Sequence, residues 1–556
     1  MEQSRLIIAI ALSFLVFFLW EILTVDKKPL QQNTQKQAQE QISSPEGKKT
    51  EKQVQSKSDQ IRMDNSSSPG IALPTPGHAR IITVDSPLYT VKISEQGAVI
   101  KSFVLKQYRE KASNDSPFLE MIDPTIESGT VQISFQDRSI QGVSEALFSA
   151  SLASDKLVLG QHSQFISFSW ITLDGVLIEK TFSFVPDSSL IGLTVRVKND
   201  THNIIRDRLI ISIKKVFTEK KSSVGFSGPS GLMNNDLTQV DLDDIEDKNK
   251  YTGEFKWIAI QDRYFLSSII PVIPVQASMN LYLTESLYLE NQLVMPEMVL
   301  GPEKESLFSY QLFFGPKSTA LLKTIDYDLS RAVNFGMFDV IAKPCVWIMN
   351  FLYGIIPNYG IAIIILTLLT KILLWPLGNK SYKSMAEMKK IQPLMAEIRE
   401  KHKNDKKKMN EEIMGLYRTY KVNPLGGCLP IIVQIPIFFA LYRMLYEAIE
   451  LRHAPFLGWI NDLSAPDRLF NFSFSIPFMQ PPYGIPVLTI IMGGTMFLSQ
   501  KMQPPMGDPA QAKMMMLMPI VFTVVFINFS SGLVLYWLVN NIISIAQQYY
   551  VTKKNA

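Results

Sequence analysis

The run NYGIAIIILTLLTKILLWPL, residues 358–377, decides how the rest of the chain is read. A helix of about 20 mostly apolar residues crosses a hydrocarbon layer of about 30 Å, and this run carries a single charge. That charge, Lys371, shares one helical face with Thr367 and Thr370, spaced at i, i+3 and i+4, while the other faces are Ile and Leu. The lysine stands about six residues, or ~9 Å, from the nearer end of the span. Bare in lipid at the helix centre, such a cation costs roughly 2.5–3.5 kcal/mol on insertion scales. Snorkelling toward headgroups relieves part of that cost. A hydrated cavity between helices relieves most of it. The run therefore predicts a transmembrane helix with one polar face.

Working outward, apolar segments recur at residues 429–448, 485–500, 515–529 and 533–551. Those at 485–500 and 515–529 are short for a bilayer, so flanking residues join them or the membrane thins around them. Only residues 530–532 separate the last two segments, which predicts a tight antiparallel hairpin. Residues 335–356 mix Asp339, Lys343 and Pro344 with apolar side chains and read as an interfacial amphipathic helix. A further run, residues 6–24, is long enough to span. Trp20, Glu21, Ile22 and Leu23 offer no small residues for signal cleavage, so an uncleaved anchor is expected. That makes six spans. The loop 378–427 holds twelve Lys and Arg, against only Arg452 and Arg468 in the loop 450–484. The positive-inside bias places the first loop, and with it both termini, in the cytoplasm.

The 556 residues and net charge of +4 conceal two materials, since the apolar residues gather at the N-terminus and in the last third. Residues 26–77 are Gln, Ser, Lys and Pro with few large apolar side chains, the composition of a flexible linker. From 78 to 325 short runs alternate at period two, as in LIGLTVRVKN (residues 190–199), and predict a large all-β, sandwich-like domain outside the membrane. GFSGPSG (residues 225–231) reads as a surface turn, and His162 and His202 as surface histidines. The two cysteines, Cys345 and Cys428, fall in or beside membrane segments, so no disulfide framework supports the middle.

The expected plan is therefore a polytopic α-helical membrane protein. Its parts are an anchor (1–25), a periplasmic linker (26–77) and the β domain (78–325). The interfacial helix (326–357) and second span (358–377) come next, then a cytoplasmic helical hairpin (378–427) and third span (428–449). A periplasmic loop (450–484), three spans (485–551) and a cytoplasmic tail (552–556) complete it. In the hairpin, Met385, Met388, Met395 and Met409 lie on two apolar stripes. Those stripes pack on each other, or re-pack against varied apolar partners as methionine-rich surfaces do. The basic outer face is solvated, or meets lipid headgroups or ribosomal RNA.

Polar side chains on other spans match the face of Lys371: Trp537, Asn540 or Asn541, Ser544 and Gln547 at helical spacing on the last, with Gln434 and Gln500 within or at the ends of others. No Asp, Glu or His lies deep in the last five apolar cores, so neither a counter-ion, a metal site nor a proton relay is expected. No GxxxxGK[ST] occurs, and no cofactor or catalytic residue is expected. An unpaired cation in a polar cavity invites an anionic visitor.

NPLGGCLPIIVQIPIFFALYRML (423–445), LRHAPFLGWINDLSAPD (451–467), TMFLSQKM (495–502) and SSGLVLYWLVNNIISIAQQ (530–548) resemble the YidC family of membrane protein insertases. The large β domain resembles its Gram-negative form. The resemblance implies an inner-membrane insertase and chaperone, not an enzyme. It implies a five-helix core around a hydrophilic groove, whose cation receives hydrophilic substrate tails before lateral release into lipid. It also implies nascent membrane proteins, the Sec translocon, the ribosome and membrane lipids as partners. Mapped here, the groove is Lys371, Thr367, Thr370, Gln434, Tyr536, Trp537, Asn540 and Ser544, with the hairpin methionines recruiting substrate. Two departures stand out. Members of this form usually carry arginine where Lys371 stands, and lysine holds its charge less securely when desolvated. The stretch FNFSFSIPFMQPPYGIP (470–486) lengthens the outer loop. A solute transporter, and a translocon chaperone without insertase activity, remain the competing readings.

Overall fold

The computed structural model describes residues 79–218, 225–420, 422, 429–503 and 509–555. The expected anchor and linker, residues 1–77, lie outside the described residues, as does Cys428.

Period-two alternation builds the β domain. In Leu190–Asn199 every second side chain is buried, and Ile191, Leu193, Val195 and Val197 all contribute to the core. Thirteen strands form one sheet. Its central run is Val275–Leu283, Lys250–Gln261, Phe265–Pro271, Glu305–Pro316, Leu190–Asn199 and Val176–Phe184, each antiparallel to the next. Five strands form a second sheet, with Tyr89–Ser94 between Val99–Arg109 and Ile81–Asp85. The two sheets share one core, where the Phe103 and Phe314 rings stack 4.9 Å apart. This is a sandwich. Lys180 crosses it, fully buried, and donates to the carbonyls of Gly97 (2.6 Å) and Ala98 (3.3 Å) on the smaller sheet.

GFSGPSG is not a surface turn. Gly228–Met233 is a buried strand paired with Lys250–Gln261. A Cβ on Gly231 would lie 3.2 Å from the Phe255 ring, and one on Gly228 would lie 2.8 Å from the Val240 carbonyl. These glycines permit close approach of neighbouring chain. His162 and His202 are exposed.

The large sheet is covered on its second face as well. Leu232, Trp257, Leu266, Ile270 and Phe313 pack against Leu322, Leu329 and Phe335 from the segment that follows the last strand. That segment includes helix α1 (Thr319–Thr324) and leads into α2 (Asp339–Ile355). Then come α3 (Tyr359–Lys401), α4 (Lys406–Thr419), α5 (Leu429–Glu447), α6 (Val487–Met502), α7 (Pro509–Phe526) and α8 (Ser531–Asn555). Among the described residues two stretches suffice by length and apolar composition to cross a membrane, Gly336–Ile355 and Tyr359–Lys401, with Met514–Phe526 a shorter apolar helix.

Three helical features differ from the expectation. First, α3 runs unbroken for 43 residues through the expected end of the span near residue 377. Gly378 does not stop it: a Cβ there would meet the Gln547 amide at 2.8 Å, so the glycine admits α8 instead. Second, α7 and α8 do not form a tight hairpin. Helix α7 packs mainly on α6 and α8 mainly on α3, and the rings of α7 and α8 meet only near the junction, Phe526 to Trp537 at 5.1 Å. The outer loop holds the start of α8, whose Ser531 and Gly532 N–H groups donate to the carbonyls of Ala465 (2.7 Å) and Leu463 (2.9 Å). These take donors that a helix N-terminus leaves free. Third, α2 is apolar on both sides. Ala342, Cys345, Val346 and Met349 are buried, while Val340, Trp347, Phe351 and Ile355 form an exposed stripe.

Candidate functional site

The site is built where α3 lies along α8. Asn358 caps the start of α3, its side chain accepting from the Ile361 N–H at 3.1 Å. One polar face then points at α8. Thr367 is fully buried and spends its hydroxyl on the Ile363 carbonyl at 2.7 Å, as Thr370 does on Thr367 at 2.8 Å. Lys371, one turn on, is 9% exposed and donates from Nζ to the Ser544 hydroxyl at 2.8 Å. Ser544 passes its own proton to the Asn540 carbonyl at 2.7 Å. Asn540 Oδ1 accepts from Gln434 Nε2 of α5 at 3.0 Å, so three helices join in one polar chain. Among the described residues no carboxylate pairs with Lys371; its partner is a neutral hydroxyl.

Most of the expected residues thus come together. Lys371, Ser544, Asn540 and Gln434 form one network, with Thr367 and Thr370 on the turn before it. Tyr536 is buried at 3% exposure and its hydroxyl meets Gln434. Trp537 belongs to an aromatic cluster instead, with Phe438 at 4.6 Å, edge to face, and Phe526. Five more residues extend the polar track, and two of them, Gln547 and Asn541, belong to the polar face expected of the last segment. Gln547 Nε2 donates to the Trp375 carbonyl and to Asn379 Oδ1, both at 3.0 Å. Tyr382 meets the Ser544 hydroxyl, and Asn541 donates to Thr495 of α6 at 3.3 Å. Asn379, Tyr382 and Thr495 carry no sequence signal of their own. Only the register between α3, α6 and α8 selects them.

Beyond the expected end of the span, α4 lies against the second half of α3. Met388 and Met395 are buried between them with Ile391, against Ile413, Leu416 and Tyr417. Met385 and Met409 are half-buried and Met414 is exposed.

At the opposite end the β domain meets the helices through charged groups. The Arg263 guanidinium stacks 3.5 Å from the Tyr446 ring centre and donates to the Tyr446 carbonyl at 2.7 Å. Arg452 donates to the Arg109 carbonyl at 2.7 Å, and Ser318 to Glu450 at 3.3 Å. Burial raises the Glu450 carboxyl and lowers the Lys317 ammonium from their ordinary ranges. Burial pushes the Asp262 carboxyl up, but Lys215 at 2.5 Å and the N–H groups of Phe265 and Tyr264 outweigh it, so its pKa falls.

A β sandwich docked on apolar helices, one of which holds a buried lysine against the polar side of another, defines a helical membrane protein with an appended β domain. Family models agree: residues 351–556 match "60Kd inner membrane protein" and residues 81–348 match "YidC periplasmic domain". The chain belongs to the YidC family of membrane protein insertases, which is not a family of enzymes. It is 38% identical to the membrane protein insertase YidC of Syntrophus aciditrophicus over 99% of this chain and 100% of that one. With the protein of that name from Syntrophobacter fumaroxidans the identity is 42% over 84% and 86%. A crystal structure of an active YidC insertase aligns over 85% of this chain and 94% of its own, at 19% identity and TM-score 0.38.

Proposed function

We propose that this chain inserts newly made proteins into the bacterial inner membrane and helps them fold, through a hydrophilic groove at Lys371. The carrying observation is a buried ammonium whose partner is a serine hydroxyl. A carboxylate arriving from the cytoplasm is a better acceptor than Ser544. A close pair gains roughly 1–4 kcal/mol according to how far water screens it. Thr367, Thr370, Gln434, Tyr536, Trp537 and Asn540 line the path, and water held by the polar groups offsets the cost of the charge.

In this reading six segments span, both termini and the second half of α3 with α4 are cytoplasmic, and the β domain is periplasmic. Helices α6 and α7 have 16 and 18 residues. At 1.5 Å per residue they measure ~24 and ~27 Å, short of the roughly 30 Å core, so the membrane is thinnest beside the groove. A hydrophilic tail crosses there. The client's apolar segment then leaves sideways along the exposed rows Leu368, Ile372 and Leu373 of α3 and Leu517 and Ile520 of α7. Its burial in lipid drives the step. Met385, Met388, Met395 and Met409 recruit substrate at the cytoplasmic side, where the ribosome and the Sec translocon deliver it.

Site-specific photocrosslinking tests the groove. Probes at positions 540 and 537 should capture a nascent membrane protein during insertion, and a probe at exposed Leu173 of the β domain should not. Equal capture at all three positions removes the groove from the mechanism.

A further inference from the structure

The lengthened outer loop folds into a hairpin, Leu469–Phe472 paired with Tyr483–Ile485. From residue 469 to 486 it contains no charged side chain. Its large side chains point away from the protein: Phe470, Phe474 and Phe478 are 67%, 62% and 82% exposed. The Phe472 and Phe474 rings stack 5.1 Å apart and nearly parallel, making a rigid apolar ridge.

The hairpin is tied to the bundle at one place. Arg468 donates to the Ile527 carbonyl at 2.8 Å and to the Pro482 carbonyl at 2.8 Å. Asn528 donates to the Phe478 carbonyl at 2.9 Å and accepts from the Gln480 N–H at 2.8 Å. Ile527 and Asn528 directly follow the last residue of α7. The hairpin's second strand runs straight into α6, which begins at Val487. It therefore sits where two short helices end. With helices of ~24 and ~27 Å, those ends lie no higher than the rim of a roughly 30 Å hydrocarbon core. Exposed apolar side chains stand on the adjoining turns of both helices, Ile490 and Ile491 at the start of α6 and Val521 and Val524 near the end of α7.

We propose that this hairpin is a lipid-binding element: Phe470, Phe474 and Phe478 seat in the outer-leaflet interface and fix the outer ends of α6 and α7 at membrane depth. The inference rests on the reading that these helices span the bilayer. Lipid is favoured over a protein partner for two reasons. The patch adjoins the lipid-facing side of two helices, and it offers no charge with which to select a partner. Three large aromatic side chains seated together in the interface gain enough from leaving water to hold a short hairpin there.

The test is nitroxide depth measurement on the full chain in phosphatidylethanolamine–phosphatidylglycerol vesicles, with Cys345 and Cys428 replaced by alanine. Labels are placed in Phe474→Cys and Phe478→Cys, with Ile372→Cys as the lipid reference and Leu173→Cys as the water reference. Oxygen should outpace a water-soluble nickel chelate as relaxant at 372, 474 and 478, and the reverse should hold at 173. Lipid at 372 with water at 474 and 478 overturns the hairpin proposal and leaves the spanning reading intact. Water at 372 overturns the spanning reading and the proposal with it. Adding Phe470→Asp and Phe474→Asp should move the 478 label into water, while the Arg468 and Asn528 ties keep the hairpin folded. A photoreactive residue at 474 should yield lipid adducts, and adducts with protein alone overturn the proposal.

Discussion

Lys371 is held by the Ser544 hydroxyl, and among the described residues no carboxylate shares its charge. Lys371→Glu should therefore abolish insertion of clients with acidic tails. Lys371→Met should slow it at least about fivefold, the lower end of a close ion pair's worth. Lys371→Arg should retain activity. Insertion assays on one client with acidic and neutralised tails check all three, and equal losses with both tails would reject the electrostatic role. A second buried lysine, in the β sandwich, makes a prediction about pH. Burial pulls the Lys180 ammonium down to about 7 from its ordinary 10.5. Between those values the unfolded chain binds more protons than the folded one. The β domain should thus gain stability as pH rises from 7 toward 9, and be least stable, on this account, below 7. Lys180→Met should flatten that rise in Tm between pH 7 and 9. An unchanged slope would show that other groups govern it.

Among the helices, close crossing rather than propensity sets the arrangement. Gly378 lies against Gln547, and the amide of Gln547 ties α8 to Trp375 and Asn379. Gly378→Leu should force the two helices apart and cost about 1–3 kcal/mol, as overpacking does. Gly354, with open space around it, should accept leucine without loss. Thermal unfolding of the two variants in detergent checks the contrast. The same position explains what sequence reading missed. A glycine followed by Asn379, two residues after Pro376, resembles a helix end, yet glycine serves turns and tight crossings alike. GFSGPSG was misread for the same reason. The strands were legible because burial of one face writes itself into alternation, as in Leu190–Asn199. The polar face of α3 was legible from spacing too. The partners Asn379, Tyr382 and Thr495 were not, because helix register is a property of packing.

Over the whole molecule, the β domain and the helices are joined by charge as well as by apolar packing. Arg263 both stacks on Tyr446 and donates to its carbonyl, and it comes from the turn between two central strands. Arg263→Ala should loosen the joint without unfolding either part. Spin-label distances between the β domain and α5 should broaden while domain Tm stays within a few degrees, and an unbroadened distribution would assign the joint to its apolar contacts. The large sheet has a further consequence for biogenesis. Residues that come after its final strand, Leu322, Leu329 and Phe335, share the cluster on its second face. In the proposed topology, the domain then carries a sticky, unfinished side during export until that strap arrives. A secreted fragment ending at residue 335 should be soluble and monomeric, whereas one ending at 316 should aggregate through Trp257, Leu266 and Phe313.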